Sequence, residues 1–177
     1  MNSLLQKLDS KEYAPYYKTY LENLEDDEIV EMMINDLESQ ITFLDNIPDE
    51  KLLYSYDKGK WTISELILHI SDCELVFAFR ALSFSRFDKT NLTGFDHNEW
   101  VSNSHANSLS KKQLIGIFKT ARNHSIALFK SFNDKQLNEI GIANNVNFSV
   151  RALGYIIIGH NRHHFSILKS RYLKQKE

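Results

Sequence analysis

Two histidines one helical turn apart are the residues of this chain best suited to chemistry. His160 and His164 lie in an apolar segment near the end of the sequence. On a helix, residues four apart are rotated by only about 40° from each other, so both imidazoles would project from one face. Imidazole is the commonest protein ligand for divalent transition metals, and such a pair offers two nitrogens to one ion. The spacing therefore indicates part of a metal site.

A third ligand must come from another part of the chain. Zinc-like ions need at least three protein ligands to be held tightly, and catalytic sites keep a further position open for water or substrate. His69 is the best candidate, because it interrupts a second apolar helical face. A lone histidine on such a face is more often a hydrogen-bonded core residue than a ligand, so both interpretations of His69 stay open at this point.

The other histidines and the single cysteine are weaker candidates. His163 follows His160 by three residues but points about 100° away from His164, so we expect it near the rim of a site. Cys73 follows His69 by four residues and would share its face, as a fourth ligand, a substrate-facing thiol or, more commonly, a small core residue. The remaining histidines lie in polar surroundings or lack a partner at useful spacing: His97, His105 and His124.

Length and composition predict one globular domain spanning residues 1–177. Acidic and basic residues are interspersed and the formal net charge is −2, which excludes the basic surface of a nucleic-acid binder. The first residues lack the apolar segment of a signal peptide, and the most apolar run, 153–158, is too short to span a bilayer. We therefore expect no membrane association. A single cysteine fits a reducing compartment, so the expected location is the cytoplasm.

Sparse turn residues predict long helices, since the chain has 6 glycines and 2 prolines. Apolar spacing and capping signals predict four of them. They cover about 26–46, from Thr62 to about 84, onward from Ser110, and from Ser149 to about 172.

The order of these helices predicts an all-α fold, a four-helix bundle. Helices two and three are joined by a polar connection of about 24 residues, 85–108, which is long enough to cross over the bundle or to carry function. The core would cover about 26–173, with the tyrosine-rich segment 1–25 as an arm or an extra helix. If the second and fourth helices are neighbours, the three imidazoles can converge near one end of the bundle.

Several short motifs resemble those of the DinB-like superfamily, in the branch that contains metal-dependent hydrolases and bacillithiol transferases. They occur in order between residues 26 and 173: Trp61-Thr62-Ile63-Ser64-Glu65 before His69, Asp72-Cys73-Glu74, Phe79-Arg80-Ala81-Leu82, Gly94-Phe95-Asp96, Ser149-Val150-Arg151-Ala152-Leu153, and Gly159-His160 with His163-His164. The resemblance implies zinc or nickel bound by His69, His160 and His164. It also implies a four-helix bundle, frequently a homodimer, with a pocket over the metal.

The leading functional hypothesis is a thiol S-transferase. A metal at the three histidines would lower the pKa of a low-molecular-weight thiol from about 8.5 and present the thiolate to an electrophile. Arg80, Arg162 and His163 are candidates to bind anionic groups of that thiol. Long basic side chains are, however, more often simply solvated.

Two carboxylates close to His69 are candidates to orient a ligand histidine by hydrogen bonding. They are Asp72 and Glu74, on either side of Cys73. A surface salt bridge is the competing interpretation for both.

Two other functions stay open. A metal-dependent hydrolase would use the same ion to form hydroxide near pH 7 and would need a general base, for which Asp96 and Glu99 are the candidates. The zincin arrangement is excluded, because its glutamate directly after the first histidine is replaced by Asn161. A non-enzymatic, stress-linked binding module would use the metal structurally, but structural sites are normally closed by four protein ligands.

Overall fold

The computed structural model describes residues 8–174 of the chain. Its helices and one hairpin are, in chain order, α1 (Lys18–Leu21), α2 (Ile29–Asp45), α3 (Ile63–Ser85), α4 (His97–Asn103), α5 (Lys111–Lys130), α6 (Asp134–Leu137), β1 (Ile140–Ala143), β2 (Val146–Ser149) and α7 (Val150–Ile167). The long helices α2, α3, α5 and α7 form a four-helix bundle, which confirms the predicted fold class. None of the helices within residues 8–174 has the length and apolar character needed to cross a membrane.

The bundle places α2 diagonally opposite α3, and α5 diagonally opposite α7. Helix α3 packs against α5 and α7, and α2 packs against the same two helices from the opposite side. The hydroxyl of Tyr172 donates to the Trp61 carbonyl, whereas Asn161 donates to Glu74, so α3 and α7 run antiparallel. The two helices that carry the candidate histidines are therefore direct neighbours.

Capping side chains fix the starts of the site-bearing helices as predicted. The Thr62 hydroxyl accepts a hydrogen bond from the Glu65 N–H while the Glu65 carboxylate accepts one from the Thr62 N–H. Ser149 accepts from the Ala152 N–H at the start of α7. Each bond satisfies an orphan donor of a first helical turn, typically contributing about 1 kcal/mol. These caps fix the residues at which α3 and α7 begin.

A buried ion pair joins three helices at the centre of the bundle. Arg122 of α5 is 0% exposed, and its Nε and Nη2 atoms donate to the Glu74 carboxylate at 2.8 and 3.1 Å. Asn161 of α7 donates to the same carboxylate at 3.1 Å. Each long helix except α2 contributes one residue, so the network ties α3, α5 and α7 together.

The hairpin of β1 and β2 was not predicted. Its turn residues, Asn144 and Asn145, have φ values of 51° and 62°, in the left-handed region that asparagine tolerates better than most residues. The connection 85–108 also contains regular structure. It contains α4, and Leu92 pairs with the hairpin by donating to the Ile142 carbonyl and accepting from the Asn144 N–H.

The N-terminal segment folds over α7. Pro15–Tyr17 forms a 3-10 turn that continues into α1. The Glu12 carboxylate accepts hydrogen bonds from Arg151 at 2.7 and 2.6 Å, which anchors the segment to the start of α7. Residues 1–7 of the predicted arm lie outside the described residues.

Candidate metal centre

Three imidazoles converge between α3 and α7. One nitrogen from each of His69, His160 and His164 can be chosen so that all lie within 4.8 Å of one another. The ring centroid of His69 is 5.2 Å from that of His160 and 5.1 Å from that of His164. The Nε2 atoms of His160 and His164 face each other at 3.1 Å. A three-nitrogen cluster thus forms where the antiparallel helices meet.

Burial keeps these imidazoles neutral. His69, His160 and His164 are 6%, 5% and 9% exposed. Burial, reinforced by His97, lowers the pKa of His69 to about 4. Burial and the neighbouring histidines hold the pKa values of His160 and His164 well below the ordinary value of 6.5. At neutral pH each ring therefore has a free lone pair on one nitrogen, the form that coordinates a metal.

The geometry of the cluster fits a transition-metal ion. Two nitrogens bound tetrahedrally at about 2.0–2.1 Å from zinc stand about 3.3 Å apart, close to the 3.1 Å between the facing Nε2 atoms of His160 and His164. The Nδ1 atoms of both rings are buried without a hydrogen-bond partner among the described residues. Ligand histidines usually donate from their second ring nitrogen to a protein acceptor, which fixes the tautomer. No described residue provides such an acceptor for His160 or His164.

The cluster lies in a cleft of about 450 Å³. Its walls come from α1 and the turn before it, α3, α7, the hairpin and the connection before α4. They are mainly aromatic, and among the described residues that line the cleft Arg80 carries the only permanent charge. The three-nitrogen cluster thus faces an apolar cavity, an arrangement suited to binding a small organic molecule beside a metal.

A family model of the DinB superfamily matches residues 37–168 of this sequence, well over half of its length. The chain belongs to the DinB superfamily. No curated protein matches it significantly. Among solved structures, YfiT from Bacillus subtilis shares the fold, with a TM-score of 0.71 and 14% sequence identity over 93% of this chain and 95% of YfiT. YfiT is described as "a probable metal-dependent hydrolase with an unusual four-helix bundle topology".

Cys73 is the nearest other donor in this DinB site. Its Sγ atom lies 3.6 Å from Nδ1 and 3.7 Å from Nε2 of His69. Burial, with the nearby Asp72 carboxylate and against the charge of Arg80, raises the pKa of the Cys73 thiol to about 12. In the metal-free protein the thiol is therefore protonated at neutral pH, and it lines the cleft.

The structure separates the predicted anion-binding residues. Arg80 lines the cleft. Arg162 points to α2, where Nε and Nη2 donate to the Asp36 carboxylate at 2.8 and 3.0 Å. His163 is exposed and packs its ring 5.3 Å from that of Tyr20, outside the residues that line the cleft. Of the three, Arg80 alone is placed to meet a molecule in the cleft.

The predicted orienting carboxylates do not contact the histidine cluster. Glu74 is engaged with Arg122 of α5 and Asn161 of α7, and it does not line the cleft. Asp72 is half-buried, burial raises its pKa, and no described histidine hydrogen-bonds to it. Among the described residues, neither carboxylate hydrogen-bonds to a histidine of the cluster, and an orienting role for Asp72 or Glu74 stays a prediction.

Two aromatic neighbours of the cluster were missed. The Trp61 ring lies 4.6 Å from that of His69, and the His97 ring lies 5.9 Å from both. His97 is exposed at the mouth of the cleft, at the first residue of α4. The Asp96 carboxylate accepts from the Asn98 and Glu99 N–H groups as the cap of α4. The tertiary fold places His97 near His69, and the local spacing of residues in the sequence does not reveal this proximity.

Proposed function

We propose that this DinB protein is a metal-dependent enzyme, a thiol S-transferase that holds zinc or nickel with His69, His160 and His164. The observation that carries the proposal is the convergence of three buried, neutral imidazoles on one point in an aromatic cleft. Three histidine ligands leave a coordination position for a substrate. An ion bound there would lower the pKa of a thiol placed beside it.

In the proposed reaction, the thiol loses its proton to solvent through the open mouth of the cleft. The sulfur then forms a bond to an electrophilic carbon of the second substrate. The leaving group departs with the electron pair of the bond that breaks. The aromatic walls exclude water from the reacting sulfur, which favours transfer to the electrophile over hydrolysis of that electrophile.

Among the described residues, the cleft lacks a carboxylate that could act as the general base of a hydrolase, and this supports the transferase. A metal-dependent hydrolase needs a general base beside the attacking water. Neither Asp96 nor Glu99 lines the cleft, and no other described carboxylate does. Sulfur needs no such base, because a thiol already has a pKa near neutrality once it lies beside a cation.

A hydrolase is the second candidate. Two observations support it: the fold shared with YfiT, which is described as "a probable metal-dependent hydrolase", and the position of His97. The His97 ring is 5.9 Å from that of His69 and is open to solvent, so it is the one described side chain at the mouth suited to accept a proton from water.

We also propose that the chain is a single domain that forms homodimers in the cytoplasm. Leu75 and Phe79 lie one turn apart on the outer side of α3, and they are 45% and 57% exposed. Large apolar side chains exposed side by side are typical of an interface. Light scattering on the purified protein would measure the mass of the assembly.

A spectroscopic experiment separates the two enzymatic candidates. We would replace the metal by cobalt and add 2-mercaptoethanol, then follow its consumption with monobromobimane as the electrophile. The transferase predicts a new sulfur-to-cobalt charge-transfer band and faster consumption, both lost in His160→Ala and kept in His124→Ala, whose side chain is exposed on α5. An unchanged spectrum with 2-mercaptoethanol, together with ester hydrolysis in its absence, would replace the transferase by the hydrolase.

A further inference from the structure

The charge of Arg80 is buried without a carboxylate partner. The side chain is 4% exposed, and no described acidic residue forms an ion pair with it. Its neutral hydrogen-bond acceptors are the Thr93 carbonyl, at 3.3 Å from Nη2, and the Tyr17 hydroxyl. Lone arginine charges are rarely buried unless something else compensates them.

The surroundings of Arg80 are aromatic. Its Cζ atom is 6.0 Å from the ring centroids of Phe77 and of Phe148, and the Tyr17 ring packs against both phenylalanines. Ring faces attract a guanidinium weakly compared with a carboxylate. The aromatic pocket thus holds the Arg80 guanidinium in place. Its strongest possible interaction, with a carboxylate, is not made by any described residue.

Arg80 and the histidine cluster face the same cleft. His69, Cys73, Phe77 and Arg80 follow one another on one face of α3 at helical spacing, and all four line the cavity. Phe77 connects the two ends, because its ring is 6.0 Å from the His160 ring and 6.0 Å from the Arg80 guanidinium carbon. A single small molecule can therefore span both ends.

We propose that Arg80 binds a carboxylate group of the substrate, so that the substrate is an organic monoanion with its reacting group at the histidine end. The proposal rests on the proposed function for the identity of that reacting group. A carboxylate matches the guanidinium in shape through two parallel hydrogen bonds. One fixed positive charge in the lining matches one negative charge, so a carboxylate fits better than a dianionic phosphate.

Calorimetric titration of the full chain tests this with two matched ligand pairs. The first pair, hexanoate and 1-hexanol, contains no sulfur and is titrated without added metal. The second pair, 6-mercaptohexanoate and 6-mercapto-1-hexanol, is titrated with zinc present. In each pair we expect the carboxylate to bind about 10-fold to 100-fold more tightly than the alcohol, as for a charge-assisted hydrogen bond.

Three variants assign that preference to Arg80. The preference for the carboxylate ligand should disappear in Arg80→Gln. It should persist in part in Arg80→Lys, which keeps the positive charge but lacks the two parallel N–H donors of the guanidinium. It should be unchanged in Arg86→Gln, the matched control, because Arg86 is exposed at the end of α3 outside the cleft. Thermal unfolding of each variant shows whether it is folded. If Arg80→Gln does not fold, the ligand preferences of the wild type and of Arg80→Lys test the proposal.

The outcomes separate the two proposals. Equal affinity for hexanoate and 1-hexanol in the wild type, or a preference that survives in Arg80→Gln, would overturn the carboxylate subsite. An Arg80-dependent preference for hexanoate, with no gain in affinity from the sulfur of 6-mercaptohexanoate, would keep the subsite and contradict the thiol transferase.

Discussion

A Cβ atom on Gly159 would lie 2.0 Å from the carbonyl oxygen of Tyr20. The backbone of α1 thus packs directly on α7, one residue before His160. This contact brings the Tyr20 ring to 5.5 Å from the His160 ring, at the wall of the cleft. The glycine of the Gly-His motif is therefore explained by close packing of two backbones at the site.

We predict that Gly159→Ala destabilises the protein by about 1–3 kcal/mol, because the added methyl group forces α1 away from α7. Urea unfolding measures the change. The matched control is Gly116→Ala in α5, where an added Cβ meets nothing within 4 Å. That substitution should stabilise the helix by about 0.5–1 kcal/mol. Equal effects of the two substitutions would contradict the close approach of α1.

Removing one partner of the Glu74–Arg122 pair should destabilise the protein strongly, because the charge that remains is buried. Arg122→Met leaves the Glu74 carboxylate unpaired, and we expect a loss of about 3–5 kcal/mol in the free energy of unfolding. The double variant Glu74→Leu with Arg122→Met should lose less than Arg122→Met alone. Lys89 pairs with Glu139 at the surface and is 68% exposed, so Lys89→Met should change stability by less than about 1 kcal/mol. A small effect of Arg122→Met would show that the pair is hydrated.

Acid should destabilise the metal-free protein. The folded-state pKa of His69 is about 4, below the unfolded value of about 6.5. The unfolded chain therefore binds more protons between these values, and the stabilisation present above pH 6.5 is lost as the pH falls towards 4. For His69 alone we expect a loss of about 2 kcal/mol at about pH 5.

Urea unfolding of chelator-treated protein at a series of pH values measures this loss. His69→Gln should show a weaker pH dependence than the wild type, and His124→Gln should show the same dependence as the wild type. A free energy of unfolding that stays constant from about pH 7 to about pH 5 would contradict burial of neutral imidazoles at this site.

The sequence was sufficient for features that depend on local spacing. The capping residues Thr62, Ser110 and Ser149 begin helices as predicted, because each cap bonds to a backbone group three residues away. The i, i+4 spacing of His160 and His164 also predicted that they share a helical face. Their role as metal ligands, with His69, stays a prediction.

Features that depend on contacts between distant segments could not be predicted. The hairpin turn at Asn144 and Asn145 lacks the glycine that usually signals a tight turn, and it is held by the Leu92 backbone from more than 50 residues away. His97 reaches the cleft only because the connection after α3 folds back over the bundle. The charged partner of Glu74, Arg122, is on α5. The short distance along the chain from Glu74 to His69 was therefore a misleading guide to the contacts of Glu74.

The metal content of the purified protein tests the central claim most directly. We would express the chain without added metal and measure metals per chain by elemental analysis, for the wild type, His69→Ala, His160→Ala, His164→Ala and His124→Ala. The account predicts about one zinc or nickel ion per chain in the wild type and in His124→Ala, and a strong loss in the three other variants. Undiminished metal content in a folded His69→Ala protein would contradict it.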